Sequence, residues 1–391
     1  MKKYDEYKDS GVEWIGEVPR HWEVVPLKRV ISINNGSDYK HVQVEDGGYP
    51  VIGSGGQFAY ASKYMYDGEV VLLGRKGTID KPLYFKGKFW TVDTMFYGIP
   101  KKNANCKYLY YQAKNIPFER YATATALPSM TQTDLNNNSI CLPPLSEQHS
   151  ISTYLAKKCG EIDKVISVQQ KRIALLQELK QSVITHAVTK GLDPNVEMKD
   201  SGVEWIGEVP KHWEVIRTRY LCKLCTGNKD TINRVDDGKY PFYVRSPKIE
   251  RINTYSFEGE AILMAGDGVG AGKVFHYATG KFDYHQRVYN FHNFKRVIGK
   301  YFFHYIANNF KYVIEEGGAK NTVDSVRLYM IQNFMMTVPP KEEQEKICKY
   351  IDQRVNVFDS SISKAQHQID LLQEYKQSLI TEVVTGKRKV C

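Results

Sequence analysis

One stretch of this chain is written twice, and that repeat limits its fold more than any local motif. Residues 8–24 read KDSGVEWIGEVPRHWEV and residues 199–215 read KDSGVEWIGEVPKHWEV, differing only at Arg20 against Lys211. A second pair, LLQELKQSVIT at 175–185 and LLQEYKQSLIT at 371–381, has the same order and almost the same offset: 196 residues (371 − 175) against 191 (199 − 8). So long a period excludes a solenoid and predicts two tandem copies of one unit. With 391 residues, each half is long enough to bury its own core.

Within each half, β-like signals come first and a long helix last. In the first half, GYPVIGSGG (48–56), FAYAS (58–62), GEVVLLGRKGT (68–78), PLYFKGKFWTV (82–92) and TMFYGIP (94–100) are short β-branched and aromatic runs cut by Gly, Pro and Asp. KYLYYQAKN (107–115) reads as a short helix, and Asp134 to Ile140 as an Asn-rich turn. The second half keeps the rhythm with other residues: YPFYVRS (240–246), GEAILMAGDGVGAGKVFHY (259–277), KFDYHQRVYNF (281–291), GKYFFHYIANNF (299–310) and MMTVPPK. A constant frame with changed loops is the pattern of two related binders of different ligands. The tryptophans of the repeat, Trp14 and Trp22, are expected in packing rather than on a ligand.

After Pro143 and Pro144, Ser146 stands where a helix cap is expected, with Glu147 and Gln148 behind it. Apolar or neutral residues then follow a heptad-like spacing at Ile162, Ile166, Gln169, Ile173, Leu176, Leu179 and Val183. They recur 196 residues later at Phe358, Ile362, Ala365, Ile369, Leu372, Tyr375 and Leu379. Two such helices are expected to pair, antiparallel if a two-fold axis relates the halves. A helix of about 25 residues spans roughly 38 Å, close to one turn of duplex DNA at roughly 34–36 Å. The expected helix is thus a spacer.

Bulk properties narrow the partner. Net charge is +10 and the isoelectric point near 9.0, which favours nucleic acid. No apolar run reaches membrane-spanning length, the N-terminus lacks a secretory apolar region, and seven scattered cysteines suit a reducing, cytoplasmic setting. Cys222 and Cys225 form one CxxC without a second ligand pair, so no metal site is expected. The two Pro-Pro pairs, at 143–144 and 339–340, lack the Asn or Asp that an amino-methyltransferase motif places before them. GDGVGAGK (266–273) is followed by Val274 where a phosphate-binding loop has Ser or Thr, and reads as a hairpin turn. The residues show no catalytic motif.

Taken together, the SGVEWIGEVPxHWEV segment, the PPLSEQ and PPKEEQ helix starts, the GRKGT and ALPSMTQTDL blocks and the LLQExKQSxIT helix resemble the specificity (S) subunit of type I restriction-modification systems. The resemblance covers essentially the whole chain. It implies an α/β (α+β) fold of two tandem, pseudo-two-fold-related, β-rich target-recognition domains, each followed by a long helix, with the helices paired as an antiparallel coiled coil. The corresponding parts are 1–142, a recognition domain; 143–190, its spacer helix; 191–338, the second recognition domain; and 339–391, its helix. It further implies that each domain reads one half of a bipartite site in double-stranded DNA. The helices would set the spacing and dock modification (methyltransferase) subunits, two of them, with restriction subunits added in the full complex. The chain itself would be non-catalytic and bind no cofactor; S-adenosylmethionine, ATP and magnesium would sit on its partners. A protein scaffold that does not bind DNA, and a self-sufficient DNA methyltransferase or nuclease, are the rival readings.

Arg and Lys suit guanine, Asn and Gln adenine, and Ser or Thr either. On that basis the expected DNA contacts in the first half are Ser54, Gln57, Arg75, Lys76, Thr78, Ser129, Thr131 and Gln132. In the second half they are Arg245, Ser246, Lys248, Asp267, Lys273, Gln286, Arg287, Lys320, Asn321 and Arg327. Ser129 and Ser325 align, but TVDSVRLYMI (322–331) otherwise departs from ALPSMTQTDL (126–135).

Overall fold

The structure is a computed structural model that describes residues 2–120, 128–316 and 325–390. It divides into two compact units, residues 1–170 with 367–391, and residues 171–366. Both cuts fall inside long helices, a central one, Leu145–Lys190, and a C-terminal one, Lys341–Val384. Each unit therefore holds the first half of one helix and the second half of the other, which is the pairing of an antiparallel coil.

Two ion pairs confirm that register. In unit 1, Lys376 Nζ lies 2.6 Å from Asp163 Oδ1; in unit 2, Lys180 Nζ lies 2.6 Å from Asp359 Oδ1. Asp163 and Lys180 are the repeat equivalents of Asp359 and Lys376, so one pair of positions is used twice with the helices exchanged. Of the expected seam in unit 1, Ile162, Ile166, Ile369 and Leu379 are buried and Leu372 is half-buried. In unit 2, Ile173, Leu176, Val183, Phe358 and Ile362 are half-buried. Leu179 and Tyr375 leave the seam and are about half exposed, because the phase break in the heptad turns them outward and brings Ile184 and Ile380 in.

The helices run 46 and 44 residues, as the parts 143–190 and 339–391 allow, and are longer than a spacer of about 25 residues. At 1.5 Å per residue the longer one spans about 69 Å, so the likeness to one duplex turn does not hold. Toward their starts both helices carry a further buried apolar stripe, Ile151, Leu155 and Cys159 in one and Ile347 and Ile351 in the other. Ser146 does not cap: the helix already begins at Leu145, and Glu147 and Gln148 donate their N–H groups to Pro144 O.

Unit 1 is built on a seven-stranded sheet of β1 (Ile31–Asn35), β2 (Gln43–Val44), β3 (Tyr49–Gly53), β4 (Gly56–Ala61), β5 (Tyr66–Gly74), β6 (Leu83–Thr91) and β7 (Met95–Pro100), in the order β1-β7-β5-β6-β3-β4-β2. Only β3 and β6 run parallel. Val70, Val71, Leu72 and Leu73 on β5 are all buried, as expected of a central strand covered on both faces. The helix Cys106–Ala113, capped by the Asn105 side chain on Tyr108 N, packs its Cys106 and Leu109 into the core on one face.

Unit 2 has β8 (Lys223–Thr226), β9 (Tyr240–Tyr243), β10 (Glu250–Ile252), β11 (Phe257–Glu258), β12 (Ala261–Ala265), β13 (Phe275–Ala278), β14 (Lys281–Tyr284) and β15 (Val288–His292). They form two four-stranded sheets, β8-β15-β12-β13 and β10-β9-β14-β11. The strand order matches unit 1, apart from β2, once β5 is equated with β11 and β12, and β6 with β13 and β14. In unit 1 the β5–β6 ladder runs unbroken through the opposed pair Gly68 and Gly87; in unit 2 it is interrupted at Gly259 and Gly280.

The repeated sequence forms the same joint in each unit. Trp22 Nε1 donates to Glu147 Oε2 at 3.1 Å, and His21 Nε2 sits 3.0 Å from that oxygen; Trp213, His212 and Glu343 do the same at 3.1 and 2.9 Å. Both tryptophans are fully buried. Beside them, Gln148 and Gln344 each donate to the carbonyl of the first proline of their pair, Pro143 O and Pro339 O, and accept a backbone N–H, from Asn105 and Ile298. The helix tails are tied likewise: Gln112 Nε2 donates to Val384 O in unit 1, and Tyr301 Oη to Val188 O in unit 2. Gly386, at φ +75°, ends the C-terminal helix where a Cβ would lie 2.2 Å from Pro19 Cδ, so only glycine fits.

Candidate nucleic-acid interface

Strand register gathers the variable loops of each unit at one edge of its sheet. In unit 1, Ile52 pairs with Thr91, Met95 with Gly74 and Phe96 with Asn35. The turns after β1, β3, β5 and β6 therefore leave from one end. In unit 2, Thr226 pairs with Tyr289, Ala265 with Val288 and Tyr243 with Tyr284, which brings the turns after β8, β9, β12 and β14 together.

In unit 1 this edge carries GRKGT. Arg75 N and Lys76 N both donate to Thr94 O, Arg75 O accepts from Met130 N, and Lys76 forms an isolated antiparallel bridge with Ser129. The Arg75 guanidinium lies 5.8 Å from the Phe96 ring centroid and donates to Asp93 O at 3.3 Å, which stiffens it. Lys76 is exposed. Ser54 sits in the β3–β4 turn and Gln57 is exposed on β4, while Thr78 follows on the β5 turn. Thr131 and Gln132 are held by the fold. Residues Gln132–Asn137 form a short helix, where an Asn-rich turn was expected, with Thr131 and Asp134 closing a capping box; Gln132 Nε2 donates to Ile33 O. The Thr131-x-x-Asp134 spacing was the signal for that helix.

The equivalent edge of unit 2 has the same backbone and different chemistry. Val326 N donates to Gly266 O as Met130 N does to Arg75 O, and Asp267 bridges Ser325 as Lys76 bridges Ser129. GDGVGAGK is the connection between antiparallel β12 and β13, as the hairpin reading expects. Arg245 Nη1 lies 3.0 Å from Asp267 Oδ1, and Arg287 Nε 3.6 Å from Asp267 Oδ2. Gln286 donates to Asp230 Oδ2 at 2.8 Å. Buried His285 accepts from Arg287 N through Nδ1 at 3.0 Å. Burial, then the nearby Arg245, lowers its pKa, and the neutral ring directs its Nε2–H toward Asp230. Ser246 Oγ donates to Lys248 O, and Lys248 Nζ stands 3.4 Å from Glu250. Lys273 and Arg327 are exposed, Arg327 at the start of the helix Leu328–Asn333. Lys320 and Asn321 lie outside the described residues. Lys229, Asp230 and His285 join the edge without having been expected there, because β8 reaches it only through non-local pairing with β15.

Among the described residues no group of three or more His, Cys, Asp or Glu is placed to hold a metal ion, and no helix is long and apolar enough to cross a membrane.

Two units of one design, each closed by the halves of a shared helix pair and differing in the loops at one sheet edge, define a tandem recognition protein. The profile described as "Type I restriction modification DNA specificity domain" matches residues 19–175 and again 210–370, and the chain belongs to that family. It is similar to the type I restriction enzyme EcoDI specificity subunit of Escherichia coli, 26% identical over 46% of this chain and 40% of that one, so this likeness spans less than half of either. The type I restriction enzyme MjaVIII specificity subunit of Methanocaldococcus jannaschii is 24% identical over 82% of this chain and 76% of its own length. A solved chain from structural work on complex assembly and conformational transition of the type I R-M system shares the fold at a TM-score of 0.68, with 14% identity over 94% of this chain and 98% of that one.

Proposed function

We propose that each unit of this specificity subunit reads one half of a bipartite site in double-stranded DNA through its loop-bearing edge. One observation carries this reading. Positions that are structurally equivalent, Lys76 with Ser129 and Asp267 with Ser325, stand on the same backbone bridge with side chains of opposite charge. Two copies of one reader with different contact chemistry suit two different half-sites. The net charge of +10 supports salt-dependent phosphate affinity beneath base reading.

The helix pair sets the distance between the half-sites and docks two modification subunits, to which restriction subunits add. Leu175 and Leu179, and their repeat equivalents Leu371 and Tyr375, support the docking role, because each is about half exposed on a long helix. On this reading the chain is non-catalytic, and S-adenosylmethionine, ATP and magnesium serve the partner subunits.

The test is selection of bound duplexes from a randomised pool, using the chain co-purified with its cellular partners. The expected result is two short specified halves at a fixed unspecified gap. Arg75→Ala is expected to relax only one of them. A single contiguous site, or no enrichment with partners present, would overturn the reading.

A further inference from the structure

Building on that reading, we infer that Asp267 is a positioning residue that aims Arg245 and Arg287 at guanine, so that the unit 2 half-site contains a G·C pair read in the major groove. An acidic side chain on an edge that meets DNA is repelled by phosphate. It stands here at the place where unit 1 has Lys76, so its presence needs a compensating interaction. The geometry supplies one. The Asp267 carboxylate, about one quarter exposed, receives Arg245 Nη1 on one oxygen and faces Arg287 Nε on the other. Each guanidinium has N–H donors beyond the one nearest that carboxylate, and both arginines are exposed, at 44% and 66% of their side chains. A planar guanidinium held on one edge presents the other in a fixed orientation, which is what bidentate recognition of guanine O6 and N7 requires.

The backbones on which the three residues stand are fixed to one another. Gly266 N donates to Arg287 O at 2.8 Å, and Arg287 N is held by His285 Nδ1. His285 N in turn donates to Tyr243 O, two residues before Arg245. A Cβ at Gly270 would lie 2.6 Å from Arg245 O, so the hairpin that carries Asp267 packs directly on the Arg245 backbone. A recognition group whose orientation is set by a buttressing partner discriminates better than a freely rotating one. Lys76, at the equivalent place in unit 1, is a flexible point charge. The two edges are thus expected to differ in how sharply they discriminate at this one position.

The experiment is bound-site selection and salt-dependent titration with the partner-loaded complex, comparing wild type with Asp267→Asn, Asp267→Ala, Asp267→Glu, Arg245→Ala and Arg287→Ala. The Asn and Ala variants are expected to lose guanine preference about tenfold, at the same positions that the two arginine variants alter. The other half-site should be unchanged, and affinity for unspecific duplex equal or higher, since a negative charge has been removed. Asp267→Glu is expected to restore part of the preference. Three results would overturn the inference: unchanged base preferences in Asp267→Ala, a uniform loss on all sequences with a lowered melting temperature, or a wild-type unit 2 half-site without a G·C pair. Failure of the wild type to select any second half-site would instead sink the bipartite reading, and this inference with it.

Discussion

The Trp–His–Glu joint and the loop edge occur in both units, yet they have diverged to opposite extents. At the joint, Trp22, His21 and Glu147 match Trp213, His212 and Glu343 residue for residue, with distances equal within about 0.1 Å. At the edge, Arg75 and Lys76 correspond to Gly266 and Asp267, although the bridge to Ser129 or Ser325 is retained. The joint fixes where a helix leaves its domain, and a buried tryptophan with a charged acceptor tolerates little change. The edge fixes only where loop residues stand, so its side chains are free to differ.

The strongest way to break this comparison is to empty the joint. Trp22→Ala and Trp213→Ala should each cost about 3–5 kcal/mol, by equal amounts and each in its own unit, as read by hydrogen exchange. A large effect at one tryptophan and a small one at the other would end the equivalence. Acid should then separate the units. Burial lowers the pKa of His304 from 6.5 to about 4, against a smaller opposing effect of Asp352. Because the unfolded chain takes up that proton first, unit 2 loses stability as pH falls from 6.5 to 4, by about 3 kcal/mol in all. His304→Gln should remove that slope.

Glu147 in unit 1 behaves differently. Burial would raise its pKa, but hydrogen bonds from Tyr4, His21 and Trp22 outweigh burial and lower it below 4.5. Its contribution is complete above 4.5 and is lost only as pH falls through the lowered value. Exchange measured between pH 7 and 4 should therefore show unit 2 loosening before the unit 1 joint does. The smallest effect sharpens the helix register: Asp163→Asn or Asp359→Asn should cost about 0.2–1 kcal/mol, since each aspartate is about half exposed to solvent. A double-mutant cycle with Lys376 or Lys180 would show whether the coupling is the same in both units.

Much of this architecture was legible because it was repeated. The duplicated SGVEWIGEVP and LLQExKQS segments gave two units and two helices, and the Gly-cut aromatic runs gave most of the strands of unit 1 within a few residues. Helix length was only partly legible: the seam read from Ile162 and Phe358 onward omits the buried Ile151, Leu155, Ile347 and Ile351 that carry the pattern back toward Pro144 and Pro340, where Gln148 and Gln344 also bond to distant backbone. The short helix after Thr131 was obscured by its asparagines, which favour turns unless a cap is present. The edge clusters were legible as residue types but not as neighbours. Arg245, Asp267 and Arg287 lie on three different turns, and only the parallel pairing of β9 with β14 and the β12–β15 ladder bring them within reach.

The central claim is that the two edges read two different half-sites. The direct measurement is parallel site selection with an Arg75→Ala, Lys76→Ala double variant and an Arg245→Ala, Arg287→Ala double variant, each in its partner-loaded complex. The first should degrade one specified half and spare the other, and the second should do the reverse, with the gap unchanged in both. If both variants degrade the same half, or lower binding to every sequence alike, the edges are not separate readers.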